Sequence, residues 1–169
     1  MKTLVAYSSS TGNTRKVAEA IFAGIPGEKE IMPLNEVKDT GPYDLLFLGF
    51  PTHRFGPDKK AEQAIRKHCI AGRKVALFVT HAAPEEAPEV PEWMRKFRDA
   101  ASAADLVGFF DCQGQMAGGV KTMLRLFGSK KLKEGVRNDT SQGKPDEMRL
   151  QRAREFGKGV AEKFGKEAS

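Results

Sequence analysis

The sequence has little cysteine and histidine, and it has no long apolar run. Its two cysteines, Cys69 and Cys112, form no CxxC pair, and no histidine stands at the spacing of a zinc ligand. No stretch reaches the roughly 20 apolar residues of a membrane-spanning helix, and the first residues lack the apolar core of a signal peptide. We therefore expect no metal site, no membrane span, a cytoplasmic location and a Cys112 buried as a small apolar residue.

The sequence also has no acidic excess, because 28 Lys and Arg outnumber 22 Asp and Glu and give a net charge of +6. The whole excess lies in residues 113–169, since residues 1–112 contain equal numbers of acidic and basic side chains. A basic face attracts nucleic acid, an anionic membrane, an acidic protein or a phosphorylated cofactor, and it can also be merely solvated. RNA-binding motifs and interleaved aromatics are missing, so we expect no nucleic-acid role.

Apolar runs alternate with helical patterns along the chain. Five runs predict strands buried on both faces, at 3–8, 29–34, 44–50, 74–80 and 106–112. Amphipathic patterns predict helices at 14–24, 58–70, 91–103 and 146–164. This alternation predicts an α/β fold with a parallel sheet between two helical layers, in a single domain over residues 1–169.

Residues 113–145 interrupt this alternation, since they are too many for a plain strand-to-helix loop. We interpret them as an insertion between the fifth strand and the last helix. Within the insertion, apolar residues at helical spacing predict a short amphipathic helix, whose stripe is more often core packing than a docking surface: Val120, Met123, Leu124 and Phe127. A turn-rich return containing Gly135, Asn138, Gly143 and Pro145 is expected to follow.

The turn between the first strand and the first helix is rich in hydroxyls and contains no charge. It consists of Ser9, Ser10, Thr11, Gly12, Asn13 and Thr14. Free N–H groups and the helix dipole favour an anion there, and the hydroxyls add uncharged donors for a phosphate. Asn13 or Thr14 is expected to cap the helix. A nucleotide triphosphatase is disfavoured because the chain has no G-x-x-x-x-G-K-[ST], and this turn contains no G-x-G-x-x-G.

The stretch "YSSSTGNTRKVAEAI" resembles the FMN phosphate loop of the flavodoxin family, [ST]-x-T-G-x-T directly after strand one. Residues 9–14 match all six positions, and the layout of nearly the whole chain is similar. The resemblance implies a flavodoxin-like three-layer sandwich with strand order 2-1-3-4-5. It also implies FMN bound at the carboxyl ends of strands one, three and four.

The resemblance further implies that two loops hold the flavin ring. The loop after strand three would contribute Pro51, Thr52, His53, Arg54, Phe55 and Gly56, with either His53 or Phe55 stacking on the ring. The loop after strand four would offer backbone groups of Thr80, His81, Ala82 and Ala83 to the pyrimidine edge. Flavodoxins usually cover the outer ring face with a tyrosine of this second loop, which is absent here. That leaves the face open or covered by residues 113–145.

Three functions remain open on the sequence alone. The leading one is an FMN-dependent electron carrier that serves redox partner proteins with acidic docking faces. An NAD(P)H-dependent FMN reductase of quinones or other small molecules is the alternative, because an open flavin face suits a stacked substrate. A binding module that has lost FMN is the third, and the complete phosphate loop argues against it.

Overall fold

A computed structural model describes residues 1–167 of the chain. Its strands are β1 (Lys2–Tyr7), β2 (Glu28–Pro33), β3 (Leu45–Pro51), β4 (Lys74–His81) and β5 (Asp105–Gln113). Its helices are α1 (Asn13–Gly24), α2 (Lys59–His68), α3 (Val90–Ala100), α4 (Gly118–Phe127), α5 (Lys130–Arg137) and α6 (Glu147–Glu167). The link between β2 and β3 contains only a 3-10 turn at Leu34–Glu36.

The five strands form one parallel sheet in the order β2-β1-β3-β4-β5, which confirms the predicted fold. Tyr7 pairs with Gly49, and Pro51 pairs with Thr80, so β1, β3 and β4 end side by side. The loops that follow these three strands therefore meet at one edge of the sheet, where ligands bind in open α/β sheets.

Helices cover both faces of the sheet, because the strands are apolar on both sides. Fully buried Ile65 of α2 and Phe97 of α3 pack on one face, and Val17 of α1 and Ala153 of α6 pack on the other. Burying a side chain such as Ile65, Phe97 or Val17 contributes about 1.5–3 kcal/mol. The two helical layers hold the sheet rigid, and the sheet in turn fixes the loops at its carboxyl edge.

Helices α1 and α6 cross at two glycines. A Cβ atom at Gly24 would lie 2.1 Å from the Arg154 carbonyl oxygen, and one at Gly157 would lie 2.5 Å from the Ile21 carbonyl oxygen. Both distances are far too short for a carbon–oxygen contact, so only glycine allows the two backbones to approach this closely. The crossing anchors α1, and with it the phosphate loop at the start of α1.

The segment between β5 and α6 differs from its prediction in two ways. It contains a second helix, α5, where turns were expected. Ser129 caps α5 by accepting a hydrogen bond from the Leu132 N–H at 3.4 Å, while Val136 is buried beneath the helix. The cap and this inward apolar side outweigh the turn tendency of Gly135, which is accommodated inside the helix.

The core-packing interpretation of the α4 stripe is also wrong. Helix α4 buries none of its residues, and Phe127 is 84% exposed. The helix lies over the loops at the carboxyl edge of the sheet rather than on one of its faces, so it has no layer of the core to pack against. The predicted domain extends to residue 169, and residues 168 and 169 lie outside the described range.

Within residues 1–167, no helix is both long and apolar enough to cross a membrane. The same residues contain no group of three or more His, Cys, Asp or Glu side chains placed to hold a metal ion. Cys69 and Cys112 are both buried free thiols, as expected for Cys112, and burial raises the pKa of each to about 12. Neither thiol is therefore available as a nucleophile at neutral pH.

Candidate functional site

The turn after β1 is organised by the Ser9 hydroxyl. Its oxygen accepts hydrogen bonds from the N–H groups of Gly12 at 3.1 Å and Arg15 at 3.3 Å. Gly12 has φ = 88°, in the left-handed region that glycine enters without strain, and this conformation turns the chain into α1. The predicted cap at Asn13 or Thr14 is wrong, because Ser9 satisfies the first turn of the helix instead.

Five backbone donors of this turn remain open. The N–H groups of Ser9, Ser10, Thr11, Asn13 and Thr14 donate to no acceptor among residues 1–167. The side chains of Ser10 and Thr11 are exposed beside them. The first turn of α1 contains no acidic residue, so the positive end of the helix dipole is not neutralised. Free N–H groups at a helix N-terminus form a ready site for an anion such as a phosphate.

Two other side chains of the turn are engaged with neighbouring elements. The Thr14 and Thr80 hydroxyls form a buried hydrogen bond of 2.9 Å between α1 and β4. The Asn13 side-chain amide donates to the Gln115 carbonyl at 2.8 Å, just beyond β5. Both side chains therefore join the turn to the sheet, while the exposed hydroxyls and the backbone remain available for a ligand.

The loop after β3 contains a tight turn at residues 53–56. His53 N–H donates to the Gly56 carbonyl at 2.8 Å, and Gly56 N–H donates to the His53 carbonyl at 3.2 Å. Arg54 and Phe55 between them have φ values of 45° and 73°, as in a type I′ turn. Bulky residues seldom adopt this conformation, which carries backbone strain of the kind found at ligand sites.

The two aromatic candidates of this loop point to different places. Phe55 pairs with Trp93 of α3, with ring centroids 5.2 Å apart, and both side chains line one cavity. His53 lines a separate groove of about 710 Å³ on the β2 side of the phosphate loop, together with Pro51, Lys60 and Lys67. The geometry thus separates Phe55 from His53, which the sequence left as alternatives.

Thr52 supplies the clearest sign of a missing partner. Its hydroxyl oxygen is buried, lies at the end of β3 and has no hydrogen-bond partner within the described part of the chain. Leaving a buried hydroxyl unsatisfied costs about 1–3 kcal/mol. The Thr52 N–H, by contrast, donates to the Thr80 carbonyl at 2.8 Å, which fixes the residue in place. The unpaired hydroxyl lies where the resemblance places one beside the phosphate and ribityl chain.

In the loop after β4, two backbone N–H groups have no acceptor, while two backbone carbonyls already accept hydrogen bonds. The carbonyls of His81 and Ala82 accept from Gly114 N–H at 2.8 Å and from the Gln113 side chain at 3.0 Å. The N–H groups of Ala82 and Ala83 have no acceptor among residues 1–167. Backbone donors are therefore available at the place expected for the pyrimidine edge, while these carbonyls already have partners.

His81 is held by acceptors on both sides of its ring. Nδ1 lies 2.9 Å from the Ala83 carbonyl oxygen, and Nε2 lies 3.2 Å from an Asp111 carboxylate oxygen of β5. The His81 side chain is fully buried, so these two contacts fix the orientation of the ring between β4 and β5 at the base of the loop.

Glu85 ties the same loop to α6. Its carboxylate accepts from Arg149 at 2.7 Å, Arg152 at 2.8 Å and the Gln113 N–H at 3.1 Å. Burial acts to raise the pKa of Glu85, but the hydrogen bonds from Arg152 and Gln113 and the nearby charge of Arg149 outweigh burial and lower it. This network fixes the outer end of the loop that frames the site.

A cavity of about 630 Å³ lies between these two loops and the helices α4 and α5. We call residues 118–137 the α4–α5 roof and this space the roofed cavity. The loop side is lined by Thr52, Phe55, Ala82 and Ala83, with Trp93 against Phe55. The roof lines the cavity with Val120, Leu124, Leu132 and Val136. Its volume falls in the range of about 300–1,000 Å³ that is typical of small-molecule sites.

The fold and these loops define a class of protein, the doubly wound α/β proteins with free backbone N–H groups in the turn after the first strand. Residues 4–158 match the family described as flavodoxin domain, and the chain belongs to the flavodoxin family. It is 34% identical to the flavodoxin-like domain-containing protein BilS of Clostridioides difficile strain CD3. The match covers 95% of this chain and 96% of BilS.

Solved structures show the same fold. Oxidised flavodoxin 2 from Bacillus cereus is similar with a TM-score of 0.62 and 20% identity, over 97% of this chain and 100% of that one. A flavoprotein from Lactobacillus acidophilus NCFM, solved in complex with FMN, has a TM-score of 0.54 and 19% identity. The similarity covers 65% of this chain and 92% of the chain of that flavoprotein.

Several residues of the site escape sequence reasoning. Asp111 and Glu85 gave no local signal, because their partners lie 28 to 67 positions away along the chain. Val120 and Leu124 of the roof were recognised by their helical spacing but assigned to the core. Only the hydroxyl-rich turn could be predicted as a group of donors from the order of its residues, since these donors are adjacent in sequence.

Proposed function

We propose that this protein binds FMN and works as an electron-transfer protein. The observation that supports FMN most directly is the presence of five free N–H groups in residues 9–14 together with the buried, unpartnered Thr52 hydroxyl. Together they offer uncharged donors to a phosphate and one further polar contact to the chain attached to it. FMN, when bound, supplies the one- and two-electron chemistry, and the protein positions the ring and sets its environment.

Each loop has a part in this proposal. Residues 9–14 hold the phosphate, and Thr52 satisfies its hydroxyl on the ribityl chain. Ala82 and Ala83 offer N–H groups to the pyrimidine edge, and Phe55 contacts the ring. The remaining residues of the proposed binding set shape the two loops: Pro51, His53, Arg54, Gly56, Thr80 and His81.

The charge distribution bears on the proposed partners. Residues 118–137 contain six Lys and Arg and one Glu, so the roof carries a net charge of +5 next to the proposed cofactor site. A partner protein with an acidic docking face would be attracted to it, and its encounter rate would fall as salt is added. A phosphate-bearing pyridine nucleotide would be attracted in the same way, which keeps the reductase alternative open.

Comparing FMN with riboflavin tests the cofactor. Riboflavin lacks the phosphate, so we expect FMN to bind with at least about a hundredfold lower Kd, a difference of roughly 2.7 kcal/mol. FMN at 100 times its Kd should stabilise the fold by about 2.7 kcal/mol in thermal unfolding. Equal affinity for the two flavins would show that residues 9–14 do not bind the phosphate. If neither flavin binds, the proposed function is wrong.

Anaerobic titration with NADPH separates the carrier from the reductase. A carrier is reduced slowly by NADPH alone and quickly when a flavodoxin reductase is added. The visible spectrum of the FMN-loaded protein follows both reactions. Rapid, repeated NADPH oxidation with menadione and without a reductase would favour the reductase instead.

A further inference from the structure

Helix α4 exposes a group of large apolar side chains that do not line the roofed cavity. Met123, Leu126 and Phe127 are 53%, 63% and 84% exposed. They stand at positions i, i+3 and i+4, so they lie together on one face of the helix. We call these three residues the apolar face of α4. Exposed apolar residues that are grouped, rather than scattered singly, mark an interaction surface.

Basic side chains accompany the apolar face of α4. Four of them form no ion pair among the described side chains: Arg125, Lys130, Lys133 and Arg137. Glu134 is the only acidic residue between positions 118 and 137. An apolar face with Lys and Arg beside it is typical of helices that lie on an anionic membrane.

A basic cavity of about 580 Å³ begins where the apolar face of α4 ends. It is lined by Gly128, Lys130, Lys133, Glu134, Arg137 and Asn138. Gly128 follows Phe127 directly, so the most exposed aromatic ring of the roof stands next to this cavity. Lys and Arg side chains bind phosphate oxygens through charge-assisted hydrogen bonds. Apolar and phosphate-binding groups are therefore adjacent, as the chains and headgroup of a phospholipid require.

Other occupants fit the apolar face of α4 less well. A second copy of the chain would bring another roof with a net charge of +5 against this one, and the two would repel each other. A stable protein interface needs about 800 Å² on each partner. Helix α4 has ten residues and is only about 15 Å long, so three projecting side chains supply a small part of that area. A membrane takes up single projecting side chains and needs no matching pocket.

We propose that the apolar face of α4 docks on the surface of an anionic phospholipid membrane. Met123, Leu126 and Phe127 enter the boundary between headgroups and acyl chains, and the basic side chains of α5 contact lipid phosphates. The contact is peripheral and reversible, and it turns the carboxyl edge of the sheet toward the membrane. This inference goes beyond the proposed function and does not require FMN to be bound.

Vesicle flotation tests the docking. The protein is mixed with vesicles of about three parts phosphatidylglycerol to seven parts phosphatidylcholine, and separately with phosphatidylcholine vesicles, at about 50 mM salt. We expect at least about tenfold tighter binding to the anionic vesicles, because the charge of the roof contributes only there. This preference should fall as salt is added, and it should be the same with and without FMN.

Two exposed apolar residues provide a matched pair of variants. Phe127→Ser removes the most exposed side chain of the apolar face and should weaken binding to the anionic vesicles about tenfold. Ile70 is 50% exposed and lies between α2 and β4, at the opposite edge of the sheet. Ile70→Ser should therefore change binding by less than about twofold. Circular dichroism checks that both variants remain folded.

Two pairs of lysines separate the position of the charge from the net charge of the molecule. Lys130→Gln together with Lys133→Gln removes two charges from the roof, and should weaken binding to the anionic vesicles about tenfold. Lys38→Gln together with Lys67→Gln removes the same charge from exposed positions outside the roof. The second pair should weaken binding by about twofold or less.

Three results would overturn the inference. The first is the absence of a preference for anionic vesicles. The second is equal weakening by Phe127→Ser and Ile70→Ser, and the third is equal weakening by the two lysine pairs, since each indicates unspecific adsorption. If the vesicles do not bind and Phe127→Ser slows reduction of the FMN-loaded protein by a flavodoxin reductase, the apolar face serves a protein partner instead. None of these results bears on whether FMN itself binds, so this test is separate from that of the proposed function.

Discussion

At the scale of single residues, the buried hydrogen bond between Thr14 and Thr80 joins the phosphate loop to the centre of the sheet. Thr14→Val or Thr80→Val leaves the other hydroxyl unpaired, and each should lower the free energy of unfolding by about 1–2 kcal/mol. The double variant removes both hydroxyls and should lose about 1 kcal/mol less than the sum. Urea unfolding of the four proteins measures this coupling.

Thr11→Val is the control for that comparison. Its side chain is exposed in the same turn, so stability should change by less than about 0.5 kcal/mol. Additive losses in the Thr14 and Thr80 variants would show that the two hydroxyls do not depend on each other. The loop would then owe its position to α1 alone.

At the scale of secondary-structure elements, the glycines between α1 and α6 determine how closely the two helices pack. Gly157→Ala would push a methyl group against the Ile21 carbonyl and should cost about 2 kcal/mol or more. Gly159→Ala lies on the same helix with no atom within 4 Å of its new Cβ, and it should stabilise by up to about 1 kcal/mol. Thermal unfolding distinguishes the two, and losses of similar size in both would contradict the close crossing.

The elements differ in how far the sequence predicts them. The three inner strands β1, β3 and β4 are apolar runs that the sheet buries on both faces, so local pattern and final environment agree there. The edge strand β2 buries none of its residues, against the prediction, because it has a neighbour on one side only. The predicted ends of all five strands lie within one residue of the observed ones. Helix α5 was missed because Gly135 and Asn138 suggested turns, whereas the Ser129 cap and buried Val136 stabilise a helix. The α4 stripe was recognised, but periodicity does not tell whether a helix meets the core or the edge of a site.

The residues of the candidate site also differ in how far the sequence predicts them. The phosphate loop is contiguous, so its donors can be predicted from neighbouring residues. The His81–Asp111 pair and the Glu85 network join distant positions through the alignment of β4 and β5, and only the folded chain brings them together. The sequence does not show that His53 and Phe55 face different cavities. This difference follows from the turn at residues 53–56, and the residue types at 54 and 55 do not predict its positive φ values.

At the scale of the whole molecule, stability in acid depends in part on Glu85. The folded-state pKa of Glu85 is lowered, so the unfolded chain binds the proton more tightly and stability falls as pH drops below about 4.5. At neutral pH, Glu85→Gln should lose about 1–2 kcal/mol, because charged hydrogen bonds from two arginines become weaker. The difference in free energy of unfolding between the natural protein and Glu85→Gln should become smaller as pH approaches about 3.

Urea unfolding at several pH values measures this difference. Glu86→Gln serves as its control, because Glu86 is exposed and forms no ion pair among the described residues. A difference between the natural protein and Glu85→Gln that stays constant from neutral to acid pH would show that the carboxylate does not stabilise the fold through its charge.

The position of the charge on the α4–α5 roof has a consequence for motion in solution. Because five of the six surplus positive charges lie on one side of the molecule, its centre of charge is displaced from its centre of mass. A molecule with this asymmetry of charge experiences a torque in the field of an anionic body. It would rotate as it approaches, so that the roof faces the anionic body and fewer collisions occur through the opposite side.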